Sequence, residues 1–442
     1  MDSDEENEEI VLQSDAIAYF DHAPDSSLFA IAQHPTHPRL IAVGGSAGSS
    51  DEAPGAGWLF QVPERPVLPE SYASGGRSSS EKKKQMESLF HLDGHEDSIS
   101  ALAWTLSGDV LLSAGLDGRL RAWRTSVGDG DGDVKISFLT ERREVEEINW
   151  LIPNPNPSSH HQTTIALGAS DGSVWVYEVD ADASDEQDRL RILQSYYLHT
   201  ASSTAGAWSP DGSLLATVSE DGSLYVWDVR ADSYAAASTV VSMTGADQRF
   251  VVEGGLFSVT FDPNGAFVAV GGAQGIIKIV SLPRSSTSSG TAGSQVLATL
   301  QAQTDSIESL STSRPSPTTT LLASASVDGT IAIFDASRRF AVRTVIPSAH
   351  DGLSVVSVDF FPAAHDGESQ WLLDSCGLDG VLRRWDLRAN PSSDQVAKPL
   401  REWRGHRGGD DGAGGILGFV RTPGGRRIVT AGDDGLALVF EA

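Results

Sequence analysis

Apolar and polar residues alternate with a period of two through most of this chain, in short runs broken by glycine-bearing turns. Residues 204–229, "TAGAWSPDGSLLATVSEDGSLYVWDV", show the unit: a strand-like run, a Pro-Asp-Gly turn, a second run, an Asp-Gly turn and a third run. Period two places alternate side chains on opposite faces of an extended backbone. No stretch carries a long helical period. The pattern predicts short antiparallel strands joined by tight turns along the whole chain.

The unit repeats. "GLDGRLRAW", "ASDGSVWVY", "SEDGSLYVW", "SVDGTIAIF", "GLDGVLRRW" and "GDDGLALVF" share it, and "GGAQGIIKI" is a degenerate copy. Their turn glycines, Gly118, Gly172, Gly222, Gly275, Gly329, Gly380 and Gly435, recur every 50 to 55 residues. Gly accepts the positive φ of such turns and Asp suits the position before it. A weaker first copy runs through "LFAIAQHP", "RLIAVGGS" and "GWLFQV", with Gly57 upstream of Gly118. Four strands per repeat with Trp-Asp endings, as at Trp227-Asp228 and Trp385-Asp386, are the signature of a WD-repeat β-propeller. The expected fold is all-β, a single eight-bladed ring, so length does not imply several domains.

Three repeats carry a full polar set: His95, Ser113, Asp117 and Trp123; His199, Thr217, Asp221 and Trp227; His350, Ser375, Asp379 and Trp385. The last repeat keeps His406, Thr430 and Asp434 but has Phe440 for Trp. The residue types are also those of a Ser-His-Asp triad. An enzyme needs one such site, however, and repetition marks scaffold. The sets resemble the WD-repeat structural tetrad, which ties a blade's His loop to its turn.

The last repeat has three strands, near "GILGFV", "RRIVTAG" and "LALVFEA", and lacks a fourth. The apolar run at residues 16–20 is one strand too many at the other end. A ring left open exposes unpaired edges, so residues 16–20 are expected to complete the last blade. The organisation is then an acidic disordered tail at 1–14 and a propeller over 15–442. Stretches 64–88, 231–247 and 283–295, rich in Pro, Ser, Ala, Thr and Gly, are expected to be mobile insertions, as is "GDGDGD" at 128–133.

Charge narrows the function. Lys and Arg number 32 against 60 Asp and Glu, a net charge of −28, of which the six acids in residues 2–9 are a minor part. Nucleic-acid binders cluster cations against phosphate; this balance argues for a basic partner instead. With one cysteine, Cys376, no intrachain disulfide can form, which fits a reducing compartment. The acidic start does not read as a signal peptide, and no apolar run approaches the ~20 residues of a membrane span. The expectation is an intracellular protein, cytoplasmic with the nucleus open as a second compartment.

Weak motifs add little. Asp129, Asp131 and Asp133 start like a calcium loop, but Val134 and Thr140 stand where Gly and Glu belong. "RGGDDGAGG" lacks the Gly-Lys-Ser/Thr of a phosphate loop. His34 with His37, and His160 with His161, have no Cys or acidic partners for zinc. Lys82 to Lys84 read as a solvated run, and Cys376 as a buried small hydrophobe. No metal, cofactor or catalytic constellation is expected.

Function in a propeller lies on its loops. The face bearing the His loops and Asp-Gly turns carries acids repeat after repeat: Asp97, Glu146, Glu147, Glu220, Glu253, Asp305, Glu308 and Asp433. Together they would focus negative potential on a ring and pair with Arg and Lys of a basic segment.

"YFDHAPDSSLFAIAQHP", "EVEEINWL", "ASDGSVWVYEV", "SIESLS" and "TAGDDGLALVFEA" resemble the fungal WD-repeat ribosome-assembly family that escorts ribosomal protein L-ten (uL-sixteen). Its animal relative is the angio-associated migratory cell protein. The likeness runs from the acidic tail to residue 442 and stops at the three insertions. It implies a dedicated chaperone, not an enzyme, a monomer with no cofactor and no direct contact with nucleic acid or membrane. The client's basic N-terminal segment would lie on the acidic face until late 60S assembly, with Asp97, Glu147 and Glu308 foremost. A generic protein-interaction scaffold is the alternative.

Overall fold

The computed structural model describes residues 14–21, 26–48, 50, 53–63, 84–128, 134–157, 163–230, 239–283, 294–361, 369–388, 397–409 and 414–442. Among them the strands form eight sheets, each with four antiparallel strands as its body, arranged as the blades of a propeller. The innermost strands are Leu28–Gln33, Ile99–Trp104, Ile148–Pro153, Ser203–Trp208, Leu256–Phe261, Ile307–Ser316, Val355–Phe360 and Ile416–Arg421. The one described α-helix is a single turn, Glu186–Arg189.

Each blade's second strand is nearly all buried, as in Leu40–Ser46, Val110–Gly115, Thr164–Ala169 and Phe267–Gly272. Both faces of a blade are covered by neighbours, so these strands read as continuous apolar and small residues instead of alternating. The core is a ring of layers between adjacent blades. Ala42, Leu59, Leu102 and Leu111 join the first to the second. Ile277, Ile279, Leu322 and Phe334 join the fifth to the sixth.

The ring closes as expected. Ala18–Phe20 pairs antiparallel with Ala437–Glu441, with Ala18 opposite Val439 and Phe20 opposite Ala437. Phe20 is buried and stacks on Phe60 of the first blade at 4.8 Å, so this strand both finishes the last blade and packs it onto the first. Burying one such ring contributes about 2–3 kcal/mol.

Several boundaries differ from expectation. Lys84–Gln85, within the stretch read as a mobile insertion, adds a fifth strand parallel to Ala18–Phe20, anchored by buried Met86. Thr239–Met243, within 231–247, is the outer strand of the fourth blade. In both, a Ser- or Ala-rich composition hid a few residues that a strand edge orders. Gly57 lies inside the strand Gly55–Gln61 opposite Gly44, not at a turn. The other seven turn glycines all have φ between 71° and 83°. Gly118 also abuts the next blade: a Cβ there would lie 2.1 Å from the Val145 carbonyl oxygen. The acidic residues 1–13, residues 64–83, 231–238 and 284–293 of the insertions, Asp129, Asp131, Asp133, His160 and His161 fall outside the described residues.

Candidate functional site

The polar sets hold the blade turns. His95 Nε2 lies 2.9 Å from Ser113 Oγ and its Nδ1 3.1 Å from Asp117. Trp123 Nε1 donates to the same Ser113 oxygen at 3.1 Å. His350, Ser375, Asp379 and Trp385 repeat this geometry. His406, Thr430 and Asp434 do so without the Trp. Hydrogen bonds from His95 and from backbone N–H groups hold Asp117 below the usual carboxylate range, against the opposing cost of burial. These sets are buried and saturated, as scaffold should be.

Two departures were not legible beforehand. His199 lies 4.0 Å from Asp221 and reaches it through Ser223 Oγ, at 2.6 and 2.5 Å. Its blade has Ser219 where the others have Gly115, Gly377 and Gly432, and a Cβ at those glycines would come within 2.4–2.8 Å of the His ring or its turn. In the sixth blade Gln303 stands in for His, paired through Oε1 with Ser324, while Asp328 takes the Thr304 N–H at 2.7 Å.

The turns and the loops entering each innermost strand share one face. The N–H groups of Leu116, Ser170, Glu220, Val327, Leu378 and Asp433 donate to the entry-loop carbonyls of Ser98, Glu147, Ser202, Ser306, Ser354 and Gly415. Asp97, Glu146, Glu147, Glu253 and Asp305 sit in entry loops, Glu220 and Asp433 in turns, and Glu308 in an innermost strand, all toward this face. Six of them are exposed. Asp97 and Asp433 are half-buried; Asp97 Oδ1 accepts the Ser98 N–H at 2.6 Å, and Asp433 faces the Gly414 N–H at 3.4 Å. Two nearby cations are already paired. Arg119 binds Glu96, and Arg383 lies among Asp379, Asp351 and Glu402.

A feature missed in the sequence organises the central mouth. Every innermost strand is bulged one residue after it begins, at Phe29, Ser100, Asn149, Thr204, Phe257, Glu308, Val356 and Leu417. A bulge releases one side chain from the ladder and re-aims it. In the second to fourth blades that side chain clamps the next blade. Ser100 Oγ donates to Ile148 O at 2.5 Å, Asn149 Nδ2 to Ser203 O at 2.9 Å and Thr204 Oγ1 to Leu256 O at 2.6 Å. In the fifth and sixth the clamp moves one residue on, to Ser258 and Ser309. Phe257 and Glu308 are thereby left free, and Val356, Leu417 and Phe29 continue an apolar arc on either side of Glu308. Phe29 is 41% exposed. Desolvation by the surrounding rim, and then the charge of Asp305, push the carboxyl of the exposed Glu308 above its usual range.

Among the described residues no group of three or more His, Cys, Asp or Glu is placed to hold a metal, and no helix is long and apolar enough to cross a membrane. His34 is buried against Trp104 at 4.6 Å, which lowers its pKa to about 4.

The WD domain, G-beta repeat model matches residues 86–124, 190–228, 248–281 and 294–335. The crystal structure of Sqt1 from Chaetomium thermophilum is 47% identical, covers 98% of this chain and 100% of its own, and superposes with a TM-score of 0.83. The chain belongs to the Sqt1 family of WD-repeat proteins. A second Chaetomium thermophilum Sqt1 structure, bound to the N-terminus of the ribosomal protein L10, is 49% identical over 97% of this chain and all of its own, with a TM-score of 0.82. The Saccharomyces cerevisiae ribosome assembly protein SQT1 is 25% identical over the whole chain and 90% of its own length. An uncharacterised WD-repeat protein of Schizosaccharomyces pombe is 32% identical, but over 57% of this chain and 55% of its own length. Sqt1 membership agrees with the resemblance read from the sequence motifs.

Proposed function

We propose that this chain is a non-enzymatic chaperone that captures the basic N-terminal segment of newly made ribosomal protein L10 on its acidic face and delivers it to large-subunit assembly. The observation that carries the reading is the near-full-length Sqt1 relative seen bound to the L10 N-terminus. The acid-rich face gives it a physical basis. Arg and Lys of the client pair with Asp97, Glu146, Glu147, Glu220, Glu253, Asp305, Glu308 and Asp433, charge-assisted contacts that strengthen where water is displaced. Glu308, flanked by the apolar arc, anchors a cation whose neighbours are apolar. An acidic face suits the carrier of a protein bound for ribosomal RNA, because it occupies the client's cations as phosphate later will.

Calorimetry with a peptide of the client's N-terminus tests this. Sub-micromolar binding that weakens steeply with salt, and that is lost when Asp97, Glu147 and Glu308 are reversed to Lys, is the expected result. Undetectable binding at low salt would leave a propeller scaffold with a different partner.

A further inference from the structure

The opposite end of the propeller holds a cavity of about 1140 Å³, lined among the described residues by the fifth to eighth blades and by Gln33 of the first. Its walls are largely apolar, with Phe361, Phe419, Leu372, Pro263 and Pro423. Its charged lining runs against the rest of the molecule. Among the described residues Arg314, Arg384, Arg421 and Arg426 line it, with Asp359 as the one acidic side chain, in a chain of net charge −28.

These arginines are not equivalent. Arg421 is spent: it pairs with Asp359, lies 3.2 Å from Asp374 and donates to Phe360 O at 2.8 Å. Arg384 gives Nε and Nη2 to the fully buried Asp374, at 2.7 and 3.0 Å. Its Nη1 has no hydrogen bond among the described residues, although Arg384 is only 8% exposed and lines the cavity. Phe361 lies 4.6 Å from the Arg384 guanidinium and 4.5 Å from that of Arg421, which holds both planes in place. Arg314 and Arg426 stand exposed on loop and strand-end positions around this centre, and among the described residues Arg426 pairs with no carboxylate.

We propose that this cavity is a second docking site, for an acidic segment of a partner protein that carries aromatic or aliphatic residues among its carboxylates. A buried guanidinium with a donor left over is a preorganised carboxylate receptor, and Arg426 and Arg314 extend the positive charge outward. The phenylalanine and proline walls accept an apolar side chain between the acids. A small inorganic anion would leave most of this apolar wall unused. The molecule would then hold partners of opposite charge at opposite ends of one axis, an arrangement that lets it hand one to the other. The inference stands on this cavity alone and not on the L10 reading.

The test uses the full chain and a fluorescein-labelled peptide, Glu-Asp-Phe-Glu-Asp-Leu-Glu-Asp-Phe, followed by anisotropy. Octaglutamate and inorganic phosphate serve as competitors. Saturable binding is expected, weakened at least tenfold in the Arg314→Glu, Arg426→Glu double variant and unchanged in Glu308→Gln. Both arginines are exposed, so the thermal midpoint should not move; Arg384 is left intact because removing it strands Asp374. Absence of saturable binding, or equal binding by the double variant, overturns the proposal. So does displacement by phosphate or octaglutamate at concentrations equal to that of the probe, since that would mean general anion attraction.

Discussion

The two arcs of the central mouth use one backbone position in opposite ways. In the second to fourth blades the bulged residue is polar and short, Ser100, Asn149 or Thr204, and it bonds sideways to the next blade. From the fifth blade round to the first it is Phe257, Glu308, Val356, Leu417 or Phe29, and it faces the mouth. The fold is equally regular in both arcs, because the lateral bond can be supplied by a neighbour such as Ser258. A repeated fold thus leaves a position open for function wherever another residue takes over its structural task. The polar arc should answer to stability measurements and the apolar arc to affinity measurements.

The largest expected effect is acid sensitivity on the polar arc. Burial lowers the His199 pKa from 6.5 to about 4. The folded state resists the proton that the unfolded state accepts, so this stability is complete above pH 6.5 and is lost as pH falls toward 4. The loss reaches about 3 kcal/mol. Thermal melts across that window should show it, and His199→Gln, which copies the arrangement of Gln303, should flatten the slope. An equally steep slope in the variant would move the effect elsewhere, for instance to His34.

Next comes Glu308→Lys on the other arc, expected to weaken L10-peptide binding about 30-fold, roughly 2 kcal/mol, with an unchanged thermal midpoint. Because the Glu308 carboxyl is raised, wild-type affinity should begin to fall at a higher pH than an ordinary glutamate would dictate. A midpoint shift without an affinity change would reverse the assignment of the arcs. Thr204→Val should cost about 1 kcal/mol of stability by removing the donor to Leu256 O, and it should leave calorimetric affinity alone. The smallest effect is expected from Phe29→Ser or Leu417→Ser, a three- to fivefold loss of affinity. That loss should persist at high salt, where the Glu308 contribution fades.

Much of this was readable in advance. The eight-fold repeat, the closing strand and four His-hydroxyl pairs follow from residue types at fixed spacing, because each depends on contacts within one repeat or on counting strands. The acids were picked by position relative to the turn, and they lie in the entry loops, the turns and the start of an innermost strand. The relay through Ser223 escaped notice because a Ser219 in place of Gly looks conservative until the His ring is seen above it. The bulges left a weak trace: "LFA", "ISA", "INW", "STA", "LFS", "IES", "VVS" and "ILG" open the innermost strands in one register. Nothing in those triplets says which middle residue bonds sideways and which stays free.

By itself, then, the sequence determined the architecture, the blade count, the ring closure and the net sign of the charge. Those depend on periodicity and on local turn chemistry, which act over a few residues. Tertiary structure alone decided which polar groups are spent on neighbouring blades and which remain available. It joined Phe29 and Leu417 into one arc with Glu308. It also gathered Arg314, Arg384, Arg421 and Arg426 around Phe361 in an otherwise acidic protein. Each of these pairings unites residues dozens to hundreds of positions apart, and their hydrogen-bond partners and solvation exist only once the ring has closed.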